Sequence, residues 1–277
     1  MSVRPEVPLS SSELSTVREV SVQREQVGAV ELVTDYVAEE RPVALHYYRL
    51  PYVVMLASPA DLEDLGVGFT LSEGIVDAAD EIRGVELVRD GEGLAVHLTI
   101  TGERLSRILQ RQRNLTGRTG CGLCGVESVE EAIRHPAPVR EGVRVSSAEI
   151  HVELARLHAQ QPLNLQTGSV HAAAWVLPGK GIQLVREDVG RHNALDKVIG
   201  ALVRSGTDLS AGYLIITSRA SYEMVQKAAT VGISLVVAVS APTALAIDLA
   251  VKTNVTLIGF ARADRHVVYA HPQRLRD

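Results

Sequence analysis

The chain has 277 residues, 46% hydrophobic and 22% charged, which suits one large or two ordinary soluble domains. Its net charge of −5 argues against a general nucleic-acid binder, which needs a basic face. No apolar run approaches the roughly 20 residues of a membrane span, and the first 20 residues lack a signal-peptide apolar core, so a cytoplasmic protein with no membrane contact is expected.

Aromatics are only 4%, so Val, Leu, Ile and Ala must build the core. The first 20 residues read as a ragged terminus. Beyond them, Val30–Thr34, Val43–Tyr48 and Tyr52–Leu56 are short β-leaning runs whose partial alternation predicts a small half-exposed sheet. Ser58-Pro59-Ala60-Asp61 has the form of a helix start, with a capping serine, a proline at the first helical position and an acid at the third. Leu62, Leu65 and Phe69 follow at helical spacing, and Glu73-Gly74 forms a stop. Val85–Val88 and Leu94–Ile100 read as further strands.

Residues 103–112 predict a helix with Leu105, Ile108 and Leu109 on a narrow apolar side. Arg104, Arg107 and Arg111 share another face, and Arg113 and Arg118 continue the basic run. Such a face is either solvated or serves to receive an anionic partner and stabilise a nearby thiolate. The run ends in Asn114-Leu115-Thr116-Gly117-Arg118-Thr119-Gly120-Cys121-Gly122-Leu123-Cys124-Gly125, which contains the chain's only two cysteines. Its glycines predict a loop, and Glu127-Ser128 opens another expected helix, with Ser128 and Glu131 at capping-box spacing.

His135-Pro136-Ala137-Pro138-Val139 reads as a linker, after which the pattern becomes helix alternating with buried strand. Ile150–Gln160 is a predicted helix. His171–Val176 and Ile182–Arg186 are strands about a turn at 177–181. Asn193–Leu202 is a helix with Leu195, Val198, Ile199 and Leu202 inward. Three nearly all-apolar strands, Tyr213–Thr217, Leu235–Val239 and Val255–Phe260, are separated by helices over Ser221–Val231 and Thr243–Lys252. Continuous apolar strands joined by helices imply a sheet covered on both faces, with parallel neighbours. The expected fold class is therefore α/β, with a smaller N-terminal α+β domain over 1–143 that ends on the cysteine loop and a C-terminal domain over 144–277.

Ligands of open parallel sheets bind beyond the carboxyl ends of the strands. Those ends carry Ser218-Arg219-Ala220-Ser221, Ser240–Thr243 and Ala261-Arg262-Ala263-Asp264-Arg265, with Arg186–Asn193 at a fourth edge. Arginines and helix N-termini there suit phosphate.

Four chemistries fit Cys121 and Cys124. Zinc needs about four ligands, and no second Cys-x-x-Cys exists, although His171 and His192 could complete a set. A dithiol redox pair usually starts a helix after a strand, unlike this glycine loop. Two buried structural thiols fit such a loop poorly. The fourth is nucleophilic sulfur transfer, in which a thiolate carries a persulfide.

Arg118–Gly125 resembles the cysteine loop of the formate dehydrogenase accessory sulfurtransferase family (FdhD/NarQ). Asp61–Leu65, Glu73-Gly74-Ile75, Arg186–Lys197, Ser218–Met224 and Gly259–Arg262 are also similar to that family, and the resemblance spans about residues 25 to 270. It implies a carrier that takes sulfur as a persulfide from a cysteine desulfurase. The carrier delivers it to the molybdenum or tungsten bis-guanine-dinucleotide cofactor needed by formate dehydrogenase. It further implies a homodimer and a C-terminal three-layer α/β/α domain like cytidine deaminase. On the family's pattern Cys121 bears the persulfide; Cys124 either helps, by closing a disulfide with Cys121 as sulfur leaves, or is dispensable. Phe260, Ala261, Arg262, Ala263, Asp264 and Arg265 bind the cofactor, with Ser218, Arg219, His171, Arg191 and His192 as further contacts and GDP as a mimic. No zinc is expected. Thr167-Gly168-Ser169-Val170-His171 departs from the family's Gly-Gly before this histidine. Deaminase chemistry is absent: Ala173 stands where His-x-Glu requires an acid, and no cysteine follows Cys124. Two rivals are a cofactor-holding chaperone without sulfur chemistry and a Cys-x-x-Cys dithiol oxidoreductase.

Overall fold

The computed structural model describes residues 8–10, 14–91, 93–106, 108 and 136–276. Cys121, Cys124, Arg107, Arg111, Arg113, Arg118 and the helix expected from Glu127-Ser128 lie outside the described residues.

The first half begins with β1 (Val17–Gln26) and β2 (Ala29–Ala38), an antiparallel hairpin exposed along most of both strands. The strand over 17–26 corrects the expectation of a ragged terminus up to residue 20. A four-stranded sheet follows in the order β4 (Leu50–Ala57), β3 (Arg41–Tyr47), β6 (Gly93–Ile100), β5 (Ile82–Asp90). Only the β3–β6 pair is parallel, and the crossover between them carries α1 (Leu62–Ser72). Val43, Leu45, Tyr47, Leu62, Leu65, Val96 and Leu98 close this core. Each such side chain contributes about 1.5–3 kcal/mol on burial. The helix starts three residues later than a Ser58 cap suggested, with Asp61 at its N-cap in a left-handed conformation and no side-chain cap. It stops as expected, at Glu73 and a Gly74 of φ 58°.

In the second half β7 (Val145–Ser146) leads into α2 (Ser147–Leu157), which Ser146 caps through Glu149 N. Then come a short α3 (Pro162–Thr167), β8 (His171–Leu177), β9 (Gly181–Asp188), α4 (Arg191–Arg204) and β10 (Tyr213–Ile216). The alternation continues through α5 (Tyr222–Thr230), β11 (Leu235–Ala238), α6 (Ala244–Lys252), β12 (Thr256–Gly259) and β13 (Val267–Ala270). These strands form one six-stranded sheet ordered β13-β12-β11-β10-β8-β9. β10, β11 and β12 are parallel, and β8, β9 and β13 antiparallel to their neighbours. Leu214, Ile216 and Val236 pack with α4, α5 and α6 on one face. Tyr213, Ile215 and Val237 pack with Ile150 and Leu157 of α2 on the other. The expected linker is part of this packing. Val139 is buried, and its N–H and C=O bond Thr253 O (2.8 Å) and Asn254 Nδ2 (3.0 Å).

The two halves meet along α1 and α4 at backbone distance. A Cβ on Gly68 would stand 1.8 Å from Asp196 O, and one on Gly200 would stand 1.9 Å from Asp64 O. Polar groups pin the contact. Asp64 accepts from Arg186 (2.9 Å) and Arg204 (2.5 Å). Lys227 reaches Asp196 (2.9 Å), Glu73 (2.8 Å) and Ser72 (2.9 Å). Alanine at Gly200 gains about 1 kcal/mol of helix propensity, but backbone atoms cannot step aside, and overpacking costs about 1–3 kcal/mol. Gly200→Ala should therefore lower the urea midpoint, whereas Gly→Ala in an open helix would raise it.

Candidate functional site at the strand ends

The sheet order decides which loops share an edge. β10, β11 and β12 run parallel, so the segments after them emerge together. β8 runs opposite to β10, with Ile216 facing Ala173, so its first residue, His171, starts at that same edge. β9 returns to place Asp188 opposite His171 and turns there into α4. One edge thus gathers His171, Arg191, His192, Ser218, Arg219 and the whole Phe260–Arg265 segment. Three strand spacings, about 14 Å, separate the β8 end from the β12 end, a width suited to a nucleotide rather than a single phosphate.

Backbone hydrogen bonds tie the loops into a fixed floor. Ala220 N donates to Ala241 O (3.2 Å), Thr243 N to Ala220 O (3.1 Å), Phe260 N to Ser240 O (3.1 Å) and Ala261 N to Ala238 O (3.1 Å). Ala261 is buried, whereas Arg219, Phe260, Arg262, Ala263, Asp264 and Arg265 are exposed. Phe260 has φ 50°, in the left-handed region that a bulky residue seldom occupies. Such strain persists where the surroundings hold it. Here two flanking backbone bonds do so and leave the ring open to solvent. Arg262 N closes a turn onto Arg265 O (2.8 Å), and its guanidinium rests on Ala261 O (2.8 Å) and Val239 O. Arg265 and Asp264 are 3.8 Å apart and about three-quarters exposed, so their attraction is weak and leaves the arginine free to meet an anion.

The other end is titratable. His192 Nε2 contacts Glu223 Oε2 at 2.6 Å, and this bond is the main cause holding the Glu223 carboxyl below its ordinary range. Burial, then the charges of Arg191 and His192, depress His171, which is therefore a neutral imidazole at neutral pH. Ser218 is buried and its hydroxyl donates to Arg219 O (3.0 Å). Among the described residues, the buried atoms Arg191 Nε and Ser221 Oγ have no hydrogen-bond partner, and buried His192 Nε2 has only its ion-pair contact with Glu223. Ser221 stands at the N-cap of α5, yet its oxygen does not cap the helix. Leaving buried polar atoms unpaired is costly, so an orphaned cation donor and an orphaned hydroxyl beside a helix N-terminus fit an anionic, oxygen-rich ligand.

Every C-terminal residue singled out from the sequence reaches this edge. Sequence reasoning gave no role to Glu223, nor to Asp188 and Lys197, which pair at 2.6 Å with both side chains wholly buried. A signal for the last existed: Lys197 stands between inward-facing Leu195 and Val198, where a charge must find a buried partner. Arg104 is corrected on both of its expected readings. It is neither solvated nor free for a thiolate, but 7% exposed and bound to Glu81 (2.7 Å) and Asp77. Among the described residues no three His, Cys, Asp or Glu side chains converge to hold a metal ion, and no helix is long and apolar enough to cross a membrane.

The model of the FdhD/NarQ family matches residues 38–276. Sulfur carrier protein FdhD of Cupriavidus necator is 52% identical over 256 residues, 92% of this chain and 89% of that protein. Sulfur carrier protein FdhD of Xanthomonas campestris pv. campestris is 50% identical over 275 residues, 99% of this chain and 96% of that one. A crystal structure of a candidate formate dehydrogenase accessory protein from Desulfotalea psychrophila superposes with a TM-score of 0.78 at 24% identity. It covers 95% of this chain and 100% of that one, a likeness of fold.

Proposed function

The chain belongs to the FdhD/NarQ family, and on that premise we propose that it is a sulfur carrier protein serving formate dehydrogenase. The observation that carries the reading is the strand-end edge. It is cationic, is about a nucleotide wide and has two orphaned donors, in a chain whose only cysteines stand in a separate Cys-x-x-Cys segment. A carrier needs both parts: a sulfur nucleophile and a place to hold the acceptor.

In this reading the Cys121 thiolate attacks the terminal sulfur of a cysteine desulfurase persulfide. The new S–S bond forms at Cys121 and the desulfurase sulfur leaves as a thiolate. For release, the Cys124 thiolate attacks the Cys121 sulfur, and hydrosulfide departs to the acceptor. The resulting Cys121–Cys124 disulfide is restored by two electrons from a thiol reductant. The acceptor is the substrate, a molybdenum or tungsten bis-guanine-dinucleotide cofactor. Arg191, Ser221, Arg262 and Arg265 meet its phosphates, and Phe260 lies beside a guanine. Neutral His171 and the His192–Glu223 pair stand at the other end of the edge.

The proposed division is 1–143 and 144–277. The second part has the three-layer cytidine-deaminase-like architecture but lacks the residues of deaminase chemistry. The reading also makes the chain a cytoplasmic homodimer. Mass spectrometry tests it directly. After incubation with a cysteine desulfurase and cysteine, the purified chain should gain a reductant-labile adduct of about 32 Da, one sulfur, and should bind GDP in calorimetry. No adduct on a folded chain removes the carrier function; an adduct without GDP binding removes only the nucleotide edge.

A further inference from the structure

Ser58 directly follows β4, the edge strand of the first half's sheet, and is completely buried. All three of its polar groups bond to the second half. Its N–H donates to Asp188 Oδ2 (3.0 Å), its hydroxyl oxygen accepts from Val189 N (3.1 Å), and its carbonyl accepts from Lys197 Nζ (3.0 Å). Two residues earlier, Leu56 O accepts from Asn193 Nδ2 (2.8 Å). The segment held in this way, 188–193, is the turn that delivers Arg191 and His192 to the strand-end edge.

Within the second half the side-chain support of that turn runs through Asp188. Gly190, at the N-cap of α4, has no capping side chain. Asp188 Oδ1 accepts from Gly190 N (2.8 Å) and Asn193 Nδ2 (2.9 Å), while its second oxygen is taken by Lys197 and Ser58. The Val189 N–H between them is directed to the Ser58 hydroxyl. Without that oxygen a part-buried amide loses its acceptor exactly one peptide before the glycine on which the turn pivots, and such an amide rotates to find another.

We propose that Ser58 is a positioning residue for the ligand edge: a side chain of the cysteine-bearing half that fixes how Arg191 and His192 are presented by the other half. The inference rests on the reading of that edge as the guanine-nucleotide site. Nucleotide affinity is then set in part from across the interface, so the two halves form one site.

Ser72 provides a matched comparison. It is equally buried, at the opposite end of α1, about 15 Å along the helix. Its hydroxyl donates to Asp196 (2.6 Å) and accepts from Lys227 (2.9 Å). GDP should be titrated calorimetrically into full-length wild type, Ser58→Ala and Ser72→Ala, alongside thermal unfolding and sulfur loading. Both variants should lose a few degrees of Tm, about what one buried hydrogen bond costs. Only Ser58→Ala should bind GDP about tenfold more weakly, with sulfur loading unchanged. Wild-type affinity in Ser58→Ala, or an equal loss in Ser72→Ala, overturns the positioning role alone. Absence of GDP binding by the wild type overturns the nucleotide reading and this role with it.

Discussion

Cys121→Ala should take up no sulfur: incubated with a desulfurase and cysteine, it should stay at its own mass while the wild type gains about 32 Da. The loss is expected to be complete because no other residue type in the chain can carry a persulfide, and Cys124 is the only other cysteine. A thiolate is the acceptor form. Cys124→Ala should still load, since the first transfer needs one sulfur nucleophile, but should release sulfur slowly when no second thiol closes the disulfide. A full adduct on Cys121→Ala would transfer the carrier role to Cys124. The rivals separate in the same experiment. A chaperone without sulfur chemistry predicts that Cys121→Ala still matures formate dehydrogenase. A dithiol oxidoreductase predicts disulfide reduction that fails equally in both variants.

The parts of this molecule that announce themselves in the sequence are those governed by short-range periodicity. The nearly all-apolar runs at 213–217, 235–239 and 255–260 leave no polar face, so they read as central strands. Their carboxyl ends point to the candidate edge without any knowledge of strand order. That His171 shares the edge depends on β8 running antiparallel to β10, a long-range choice with no local signature. The misreadings at Ser58, Arg104 and Val139 share one cause: a tertiary partner outcompeted a local one. Ser58 has the look of a helix cap, but its hydroxyl meets Val189. Arg104 lies on an apparently solvated face, yet Glu81 and Asp77 draw it inward. Val139 sits among prolines typical of a linker, and its neighbours cover it completely enough to bury it. β1 escaped notice for a different reason: Arg18, Glu19, Ser21 and the polar run Gln23–Gln26 break up its three valines, so no apolar periodicity marks it as a strand. Ser221 and Glu223 lie within a motif visible in the sequence. Their roles follow only from an unfilled hydrogen bond and a 2.6 Å contact that the fold creates.

Lys197→Met should cost more stability than any other substitution considered for the described residues, on the order of 3–5 kcal/mol, because it leaves the Asp188 carboxylate buried without its counter-charge. Domains of this size hold about 5–15 kcal/mol in total, so urea unfolding should show a large drop in midpoint. Methionine nearly preserves the volume, which separates the charge effect from a cavity effect. The common remedy for a buried ion pair, replacing both partners with apolar residues, is unsuited to this site. Asp188 also accepts from Ser58 N, Gly190 N and Asn193 Nδ2, and an aliphatic side chain would strand those donors. Lys197→Met with Asp188→Asn is the informative double variant. It removes the orphaned charge and keeps an oxygen for the donors, so it should recover part of the loss, with a coupling energy of about 1–3 kcal/mol. A double variant no more stable than Lys197→Met would assign the cost to the lysine's own bonds, to Ser58 O and Glu187 O, rather than to the ion pair. The pair's location gives the result a functional edge. The same carboxylate that needs Lys197 also shapes the turn before Arg191, so a Lys197→Met chain that is still folded at low temperature should bind GDP more weakly while Cys121 loads sulfur normally.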